Sequence, residues 1–206
     1  MTSDQQIVPI LPPYPGIHFN KICLITSLAD AELAHAAMMS ADVIGFDTES
    51  KPIFFKGQQS DGPHLIQLAT DTHVFLFPVV QTSYTEPAKA VLESKQILKV
   101  GFGLGDDNKR LHGKLGITPV NVLDLSRVMR ESKHREMGAK AAVAKYFGMK
   151  LQKSKKTSTS NWAMPKLSER QMQYAADDAQ VALLVYREWL RLKVDGKIIT
   201  RAESDL

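Results

Sequence analysis

Cysteine is scarce in the sequence, and long apolar runs are missing. Cys23 is the only cysteine among 206 residues, which excludes an intrachain disulfide framework and predicts an intracellular protein, cytoplasmic or, in a eukaryote, nuclear. The longest apolar run, residues 74–80, is far shorter than the roughly 20 residues that span a bilayer, so we predict no membrane partner. No Lys or Arg precedes Lys21, unlike the start of a secretory signal.

No charge of one sign dominates the sequence. The 26 basic and 22 acidic side chains leave a net charge of +4, which permits a polyanionic partner without requiring one. The hydrophobic share of 44% and the charged share of 23% are typical of a globular protein with a core, and they exclude disordered and collagen-like chains. Prolines are concentrated in residues 1–20, which predicts an extended N-terminal arm. Residues 21–206 are predicted to form a single domain.

The order of predicted elements indicates the fold class. Strands are predicted at residues 22–25, 43–46, 64–69, 73–77 and 97–102. Helices are predicted at residues 27–39, 88–92, 106–115, 124–130, 138–147 and 168–192. Strands with interleaved helices, followed by helices alone, indicate an α/β or α+β domain with one mixed sheet. The lysine-rich residues 150–160 are predicted to be a surface loop.

Acidic side chains follow the apolar run at residues 43–46. Asp47 and Glu49 are two positions apart on the predicted strand, so they share one face while Thr48 points to the other. Two like charges side by side are costly unless a cation or a proton lies between them. A strand that simply ends in two solvated turn residues would show the same pattern, so these acids alone do not decide the matter.

A second acidic pair, Asp106 and Asp107, follows a glycine-rich strand end and opens a helix. Acids at this place also serve as caps and interact with the positive end of a helix. The glycine spacing is not that of a phosphate-binding loop. Asp124 is predicted to cap its own helix without a catalytic role.

A third acidic position lies in the long helix near the end of the chain. Tyr174 and Asp178 are four residues apart and therefore share one face. Small alanines around them allow this helix to approach another element closely. A surface carboxylate beside a half-buried tyrosine would give the same pattern. Asp177 is predicted to be a solvated helix acid.

Convergence of these acids would create a metal site. Carboxylates that share one cleft repel one another strongly unless divalent cations neutralise them. Oxygen ligands without Cys or His favour Mg²⁺ or Mn²⁺ over zinc. Two such ions form the arrangement that hydrolyses phosphodiesters. The candidate ligands are Asp47, Glu49, Asp107 and Asp178, and the Tyr174 phenol would orient the attacking water.

The acidic motifs resemble those of the DEDD exonuclease superfamily. The segment 46–49 (Phe-Asp-Thr-Glu), the glycine-rich strand that leads to Asp107, and Tyr174-x-x-x-Asp178 are similar to its three motifs in the same order, at intervals of about 60 and 70 residues. Gln173 stands where the histidine subclass has its histidine. The resemblance is therefore to the tyrosine subclass, which includes ribonuclease D and the Werner syndrome exonuclease domain.

This resemblance implies a ribonuclease H-like α/β fold, a five-stranded mixed sheet flanked by α-helices. It also implies stepwise removal of nucleotides from the 3′ end of single-stranded RNA or DNA, with release of nucleoside 5′-monophosphates and with two divalent ions, Mg²⁺ or Mn²⁺. Asp47, Glu49 and Asp178 would hold the ion that binds the water, and Asp47 would bridge to the second ion beside Asp107. Asp106 is the neighbouring alternative to Asp107.

A single strand with a free 3′ end needs positive and stacking surfaces. The candidates are Lys153, Lys155, Lys156, Trp162 and Phe54. A solvated loop beside a core tryptophan would show the same pattern. The sequence lacks the helicase regions of the Werner protein and the helical repeats of ribonuclease D. The resemblance therefore implies a free-standing domain that grips nucleic acid by itself or with a protein partner.

Two other functions are compatible with the sequence. One is a non-catalytic nucleic-acid-binding module of the same fold, although the intact acidic positions and Tyr174 argue against it. The other is a phosphodiesterase limited to very short oligonucleotides, which the modest net charge of +4 permits. The sequence leaves the choice of RNA or DNA and the oligomeric state open.

Overall fold

Strand β2 (Val43–Glu49) lies in the middle of the sheet. The computed structural model describes residues 10–53, 57, 60–80, 82–130 and 135–197. The first four residues of β2 are all buried, as the apolar run predicts, because helices cover both faces of the sheet. β2 pairs antiparallel with β3 (Leu65–Ala69) and parallel with β5 (Leu98–Gly101).

Three further strands are β1 (Ile22–Leu24), β4 (Val74–Pro78) and β6 (Val122–Asp124). Within the described residues the six strands form one mixed sheet in the order β1-β4-β3-β2-β5-β6. β3 runs antiparallel to both neighbours, and the other pairings are parallel. The predicted five strands omit β6. It is three residues long and leads directly into a helix, so it is too short to show alternation.

Helices cover the two faces of the sheet. They are α1 (Leu28–Met39), α2 (Glu86–Leu92), α3 (Gly105–Leu115), α4 (Leu125–Val128), α5 (Ala139–Phe147), α6 (Lys155–Ser158) and α7 (Glu169–Val194). Helices α1 to α3 pack with Ile44 and Phe46 of β2, whereas α5 and α7 pack with Val43 on the opposite face. Ser27 and Ser168 cap α1 and α7. In the described residues we find no helix of the length and apolarity needed to cross a membrane.

The described part of the predicted N-terminal arm lies against the α5–α7 layer. The backbone N–H of Tyr14 donates to the Lys150 carbonyl at 2.9 Å, and the N–H of Lys150 donates to the Pro12 carbonyl at 2.8 Å. The N–H of Ile17 donates to the Asp177 carboxylate at 2.9 Å. Asp177 is therefore an anchor for the arm, and the prediction that it is a solvated acid is wrong. The first nine residues of the arm lie outside the described residues.

Helix α7 touches strand β2 at Gly45. A Cβ built on Gly45 would fall on the backbone carbonyl oxygen of Ala179 and within 3.1 Å of the Leu183 side chain. Ala175 and Ala176 on the same helix are fully buried, which confirms the prediction that small residues allow a close approach. The contact fixes the distance between β2 and the helix that carries the third acidic motif.

Replacement of Gly45 with alanine is expected to lower the free energy of unfolding by about 3 kcal/mol, because the helix must move away from the strand. Gly113→Ala is the matched control, since a Cβ on this α3 residue meets no atom within 4 Å and alanine is favoured in a helix interior by about 0.5–1 kcal/mol. Urea unfolding measures both variants. Equal stability of Gly45→Ala and wild type would contradict the contact.

Candidate active site

Strand β2 carries two carboxylates on the face that α7 covers. Asp47 and Glu49 share this face because side chains alternate along a strand, and the Asp47 carboxylate accepts a hydrogen bond from the Thr48 N–H at 2.8 Å. Burial and the Asp47 charge raise the pKa of Glu49 to about 9. Burial, followed by the charges of Asp178 and Asp107, raises the pKa of Asp47. These acids are therefore close enough to interact electrostatically.

Helix α7 places Tyr174 and Asp178 opposite β2. The helix begins at a capping box between Ser168 and Gln171. Tyr174 and Asp178 are four residues apart, so they lie one turn apart on one face of the helix. Asp178 is only 6% exposed, and burial raises its pKa to about 6. Burial and the nearby charges of Asp178 and Glu49 raise the pKa of Tyr174. The phenol therefore stays protonated at neutral pH.

The glycine-rich turn between β5 and α3 is held by Asp124. Gly103 has a φ of +73°, a backbone conformation that favours glycine. The N–H groups of Gly103 and Leu104 donate to the Asp124 carboxylate at 2.9 and 3.1 Å. Asp124 also accepts from the Ser126 N–H as the N-cap of α4. The prediction of a capping role for Asp124 is confirmed, and this acid fixes the start of α3.

Helix α3 directs Asp107 inward and Asp106 outward. Asp107 is 9% exposed and accepts a hydrogen bond from the Thr48 hydroxyl at 2.5 Å. The Asp106 side chain is 72% exposed and forms an ion pair with Lys109 at 3.3 Å. Asp107 also acts on the acids of β2, since burial together with the Asp107 charge raises the pKa of Asp47. Sequence analysis assigned no role to Thr48, although its place between Asp47 and Glu49 put it on the opposite face of β2, towards α3.

The four carboxylates offer oxygen donors that suit a hard divalent cation. They come from β2, α3 and α7, and their mutual charge is costly in a buried cleft without a cation. Among the described residues, no group of three His, Cys, Asp or Glu side chains is arranged to hold a metal ion as it stands. The chemistry of these donors, and not their present placement, fits a hard divalent cation. In the present side-chain arrangement, a lysine supplies positive charge to the acids.

Lys153 lies among the predicted metal ligands and not on a solvated surface. Its Nζ atom is 2.9 Å from the Asp178 Oδ1 atom, and its side chain is only 27% exposed. The prediction of a surface loop at residues 150–160 is therefore wrong in part, because Lys153 is held by an ion pair and helix α6 follows it. Lys155 and Lys156 on α6 are exposed. These two lysines remain accessible to a phosphate backbone.

Trp162 is a core residue and not an exposed stacking surface. It is 2% exposed, its Nε1–H donates to the Ser158 carbonyl at 3.1 Å, and its ring centroid is 6.1 Å from that of Tyr174. This burial contradicts the expectation that Trp162 offers an exposed surface for base stacking. The Trp162 ring instead packs against the Tyr174 ring. Phe54, the other aromatic candidate, lies outside the described residues.

A cavity of about 380 Å³ adjoins Trp162 on the side of β1 and β4. Its walls combine apolar side chains with two basic residues, His64 and Lys114. Trp162 connects this cavity to Tyr174, since it lines the cavity and packs against the tyrosine ring. A cavity of the size of a small ligand therefore shares one wall residue, Trp162, with the surroundings of Tyr174.

Comparison with known proteins decides the family. A family model described as a 3′–5′ exonuclease matches residues 23–194. The chain belongs to this exonuclease family. It is a member of the DEDD superfamily that the sequence motifs predict, and the ribonuclease H-like α/β fold is confirmed by its structural neighbours.

Three relatives show the extent of the likeness. The mouse bifunctional 3′–5′ exonuclease/ATP-dependent helicase WRN is 29% identical over 174 residues, which are 82% of this chain and 12% of WRN. The EXO domain of Aedes aegypti Nibbler has a TM-score of 0.69 and 25% identity, over 84% of this chain and 88% of that domain. Trypanosoma brucei RNase D in complex with RNA U12 has a TM-score of 0.72 and 22% identity, over 81% of this chain and 61% of that one. The last likeness shows the fold alone.

Proposed function

We propose that this exonuclease-family chain is a catalytically active enzyme of the tyrosine subclass. It removes nucleotides one at a time from the 3′ end of single-stranded nucleic acid and releases nucleoside 5′-monophosphates. It depends on two divalent ions, Mg²⁺ or Mn²⁺. The observation that carries the proposal is that carboxylates from β2, α3 and α7 act on one another electrostatically beside the half-buried Tyr174.

The four carboxylates Asp47, Glu49, Asp107 and Asp178 would hold the two ions. When bound, such ions activate the attacking water and stabilise the leaving oxygen of the phosphodiester. Tyr174 keeps its proton, because burial and nearby acids raise its pKa, and it can therefore donate a hydrogen bond that orients the water. The Thr48 hydroxyl holds the carboxylate of Asp107 in one orientation.

The substrate strand is proposed to reach the carboxylates past α6. Lys155 and Lys156 are exposed there and can contact phosphates, each with a salt-dependent contribution to binding. The cavity beside Trp162 is lined by apolar side chains and by the basic Lys114, a combination that suits a nucleobase and its phosphate. A protein partner could add to this grip, and we propose an intracellular location for the enzyme.

A time course on end-labelled oligonucleotides tests the proposed function. Single-stranded RNA and DNA, each labelled at the 5′ or the 3′ end, are incubated with Mg²⁺, Mn²⁺ or EDTA. We expect a ladder of shortened 5′-labelled products, immediate release of labelled mononucleotide from the 3′ end, and no reaction in EDTA. The same gels show whether RNA or DNA is preferred.

Two alternatives predict different results in this assay. A non-catalytic binding module would retard the oligonucleotides in a gel-shift assay without shortening them in any metal. A phosphodiesterase for very short substrates would act on dinucleotides to pentanucleotides and leave longer strands intact. Either result would replace the proposed function.

Replacement of Tyr174 with phenylalanine is expected to lower kcat by about tenfold to a hundredfold, the usual loss when one orienting hydrogen bond near a metal site is removed. Tyr186→Phe is the matched control, because Tyr186 lies on the same helix and packs against Trp189, with ring centroids 6.0 Å apart. Steady-state kinetics on a labelled oligonucleotide measures both variants. An unchanged kcat for Tyr174→Phe would exclude the orienting role.

A further inference from the structure

Lys153 brings positive charge into the carboxylate cluster. Its Nζ atom lies 2.9 Å from the Asp178 Oδ1 atom and 5.8 Å from the centroid of the Tyr174 ring. The charges of Asp178, Asp47 and Glu49 raise the pKa of Lys153 despite its burial. The ammonium group therefore interacts with acids from both β2 and α7 and with the aromatic face of the site tyrosine.

The local sequence sets this lysine apart from its neighbours. Ser154, directly after it, caps α6 by accepting a hydrogen bond from the Thr157 N–H, so the chain turns away immediately after Lys153. Lys155 and Lys156, in the first turn of α6, face solvent. Lys153 alone of these three lysines is directed to the acids. The Ser154 cap therefore separates Lys153 from the two exposed lysines of α6.

Charge compensation explains why a lysine is tolerated there. Asp178 is 6% exposed, and a buried carboxylate without a partner is costly. The Lys153 ammonium supplies one positive charge to the carboxylate that the proposed function assigns to a metal ion. A lysine and a divalent ion cannot both lie in contact with the same oxygen without strong repulsion.

We propose that Lys153 is the internal counter-ion of the carboxylate cluster and competes with a divalent cation for Asp178. This inference rests on the proposed function, since it concerns the same four carboxylates. In the metal-free chain the ammonium neutralises Asp178, and it must leave the Oδ1 atom before a metal ion can bind that oxygen. The flexible four-carbon stem of lysine permits that movement.

Titration with Mn²⁺ in the absence of substrate tests the competition. Lys153→Met keeps the apolar stem and removes the charge, and Lys153→Gln is a second variant with a polar end. Lys140→Met is the matched control, because it removes an exposed lysine from α5 and changes the net charge equally. Electron paramagnetic resonance of the free ion gives the Kd. We expect both Lys153 variants to bind Mn²⁺ about tenfold more tightly than wild type, and Lys140→Met to bind as wild type does.

Thermal unfolding in EDTA supplies a second readout that needs no activity. Loss of the counter-ion is expected to lower the Tm of Lys153→Met below that of Lys140→Met, and saturating Mn²⁺ is expected to remove this difference. Equal or weaker Mn²⁺ binding by the Lys153 variants, compared with wild type, would overturn the inference and leave the proposed function intact. Absence of Mn²⁺ binding in every variant would overturn the proposed function and the inference together.

Discussion

Replacement of Asp47 with asparagine is expected to lower kcat at least a hundredfold, the largest effect that the proposed site predicts. Asp47 faces α7 from β2, and the charges of Asp178 and Asp107 both act on it. An asparagine has the same shape but only one oxygen and no charge, so it is a poor ligand for a hard divalent ion. Release of labelled mononucleotide with Mn²⁺ measures the rate.

Stability separates a lost metal ligand from a damaged fold. Burial and the charges of Asp178 and Asp107 raise the folded-state pKa of Asp47. The metal-free chain is therefore most stable when Asp47 is protonated, and this stability is lost as the pH rises through the raised pKa. Asp47→Asn removes the charge and is expected to have an equal or higher Tm in EDTA. Asp42→Asn is the control for activity, because this acid just before β2 pairs with Arg187 and not with the site; it is expected to keep its activity. Near-normal turnover of Asp47→Asn would defeat the assignment.

Asparagine at Asp107 is expected to lower kcat about a hundredfold, whereas asparagine at Asp106 is expected to change it less than twofold. The two residues are adjacent on α3, so the substitutions have the same helix propensity and the same effect on net charge. Only Asp107 is buried and bonded to Thr48. Asp106 faces solvent and pairs with Lys109, an exposed ion pair of small energetic value.

Measurement of kcat for Asp106→Asn and Asp107→Asn under the same conditions tests this prediction. Circular dichroism and the Tm of each variant verify that both fold. Similar losses at both positions would indicate that α3 contributes general negative charge and not one specific ligand. A larger loss at Asp106 would show that the second acidic motif is shifted by one residue.

Most of the fold could be predicted because its elements carry strong local signals. Residues 43–46 form a buried strand since every side chain is apolar or glycine. Ser27 and Ser168 begin helices by capping, which sequence shows directly. Period-two alternation placed Asp47 and Glu49 on one face. The sixth strand was missed since three residues that lead into a helix carry no periodic signal.

The convergence of the acids was predictable in outline, but their partners were not. Each acidic motif lies on a different element, and their order along the chain indicated one site. The ion pair of Lys153 with Asp178 depends on how the segment before α6 turns, which charge patterning alone cannot show. The burial of Trp162 and the anchoring of the arm at Asp177 are likewise long-range contacts. The cytoplasmic or nuclear location stays a prediction.

Anomalous diffraction from a crystal soaked in Mn²⁺ and a nucleoside 5′-monophosphate tests the central claim most directly. The account predicts two manganese peaks among the carboxylates of Asp47, Glu49, Asp107 and Asp178, with the Lys153 ammonium withdrawn from Asp178. A map in which the nucleotide is bound, no manganese peak lies within reach of these four side chains and Lys153 still pairs with Asp178 would contradict it.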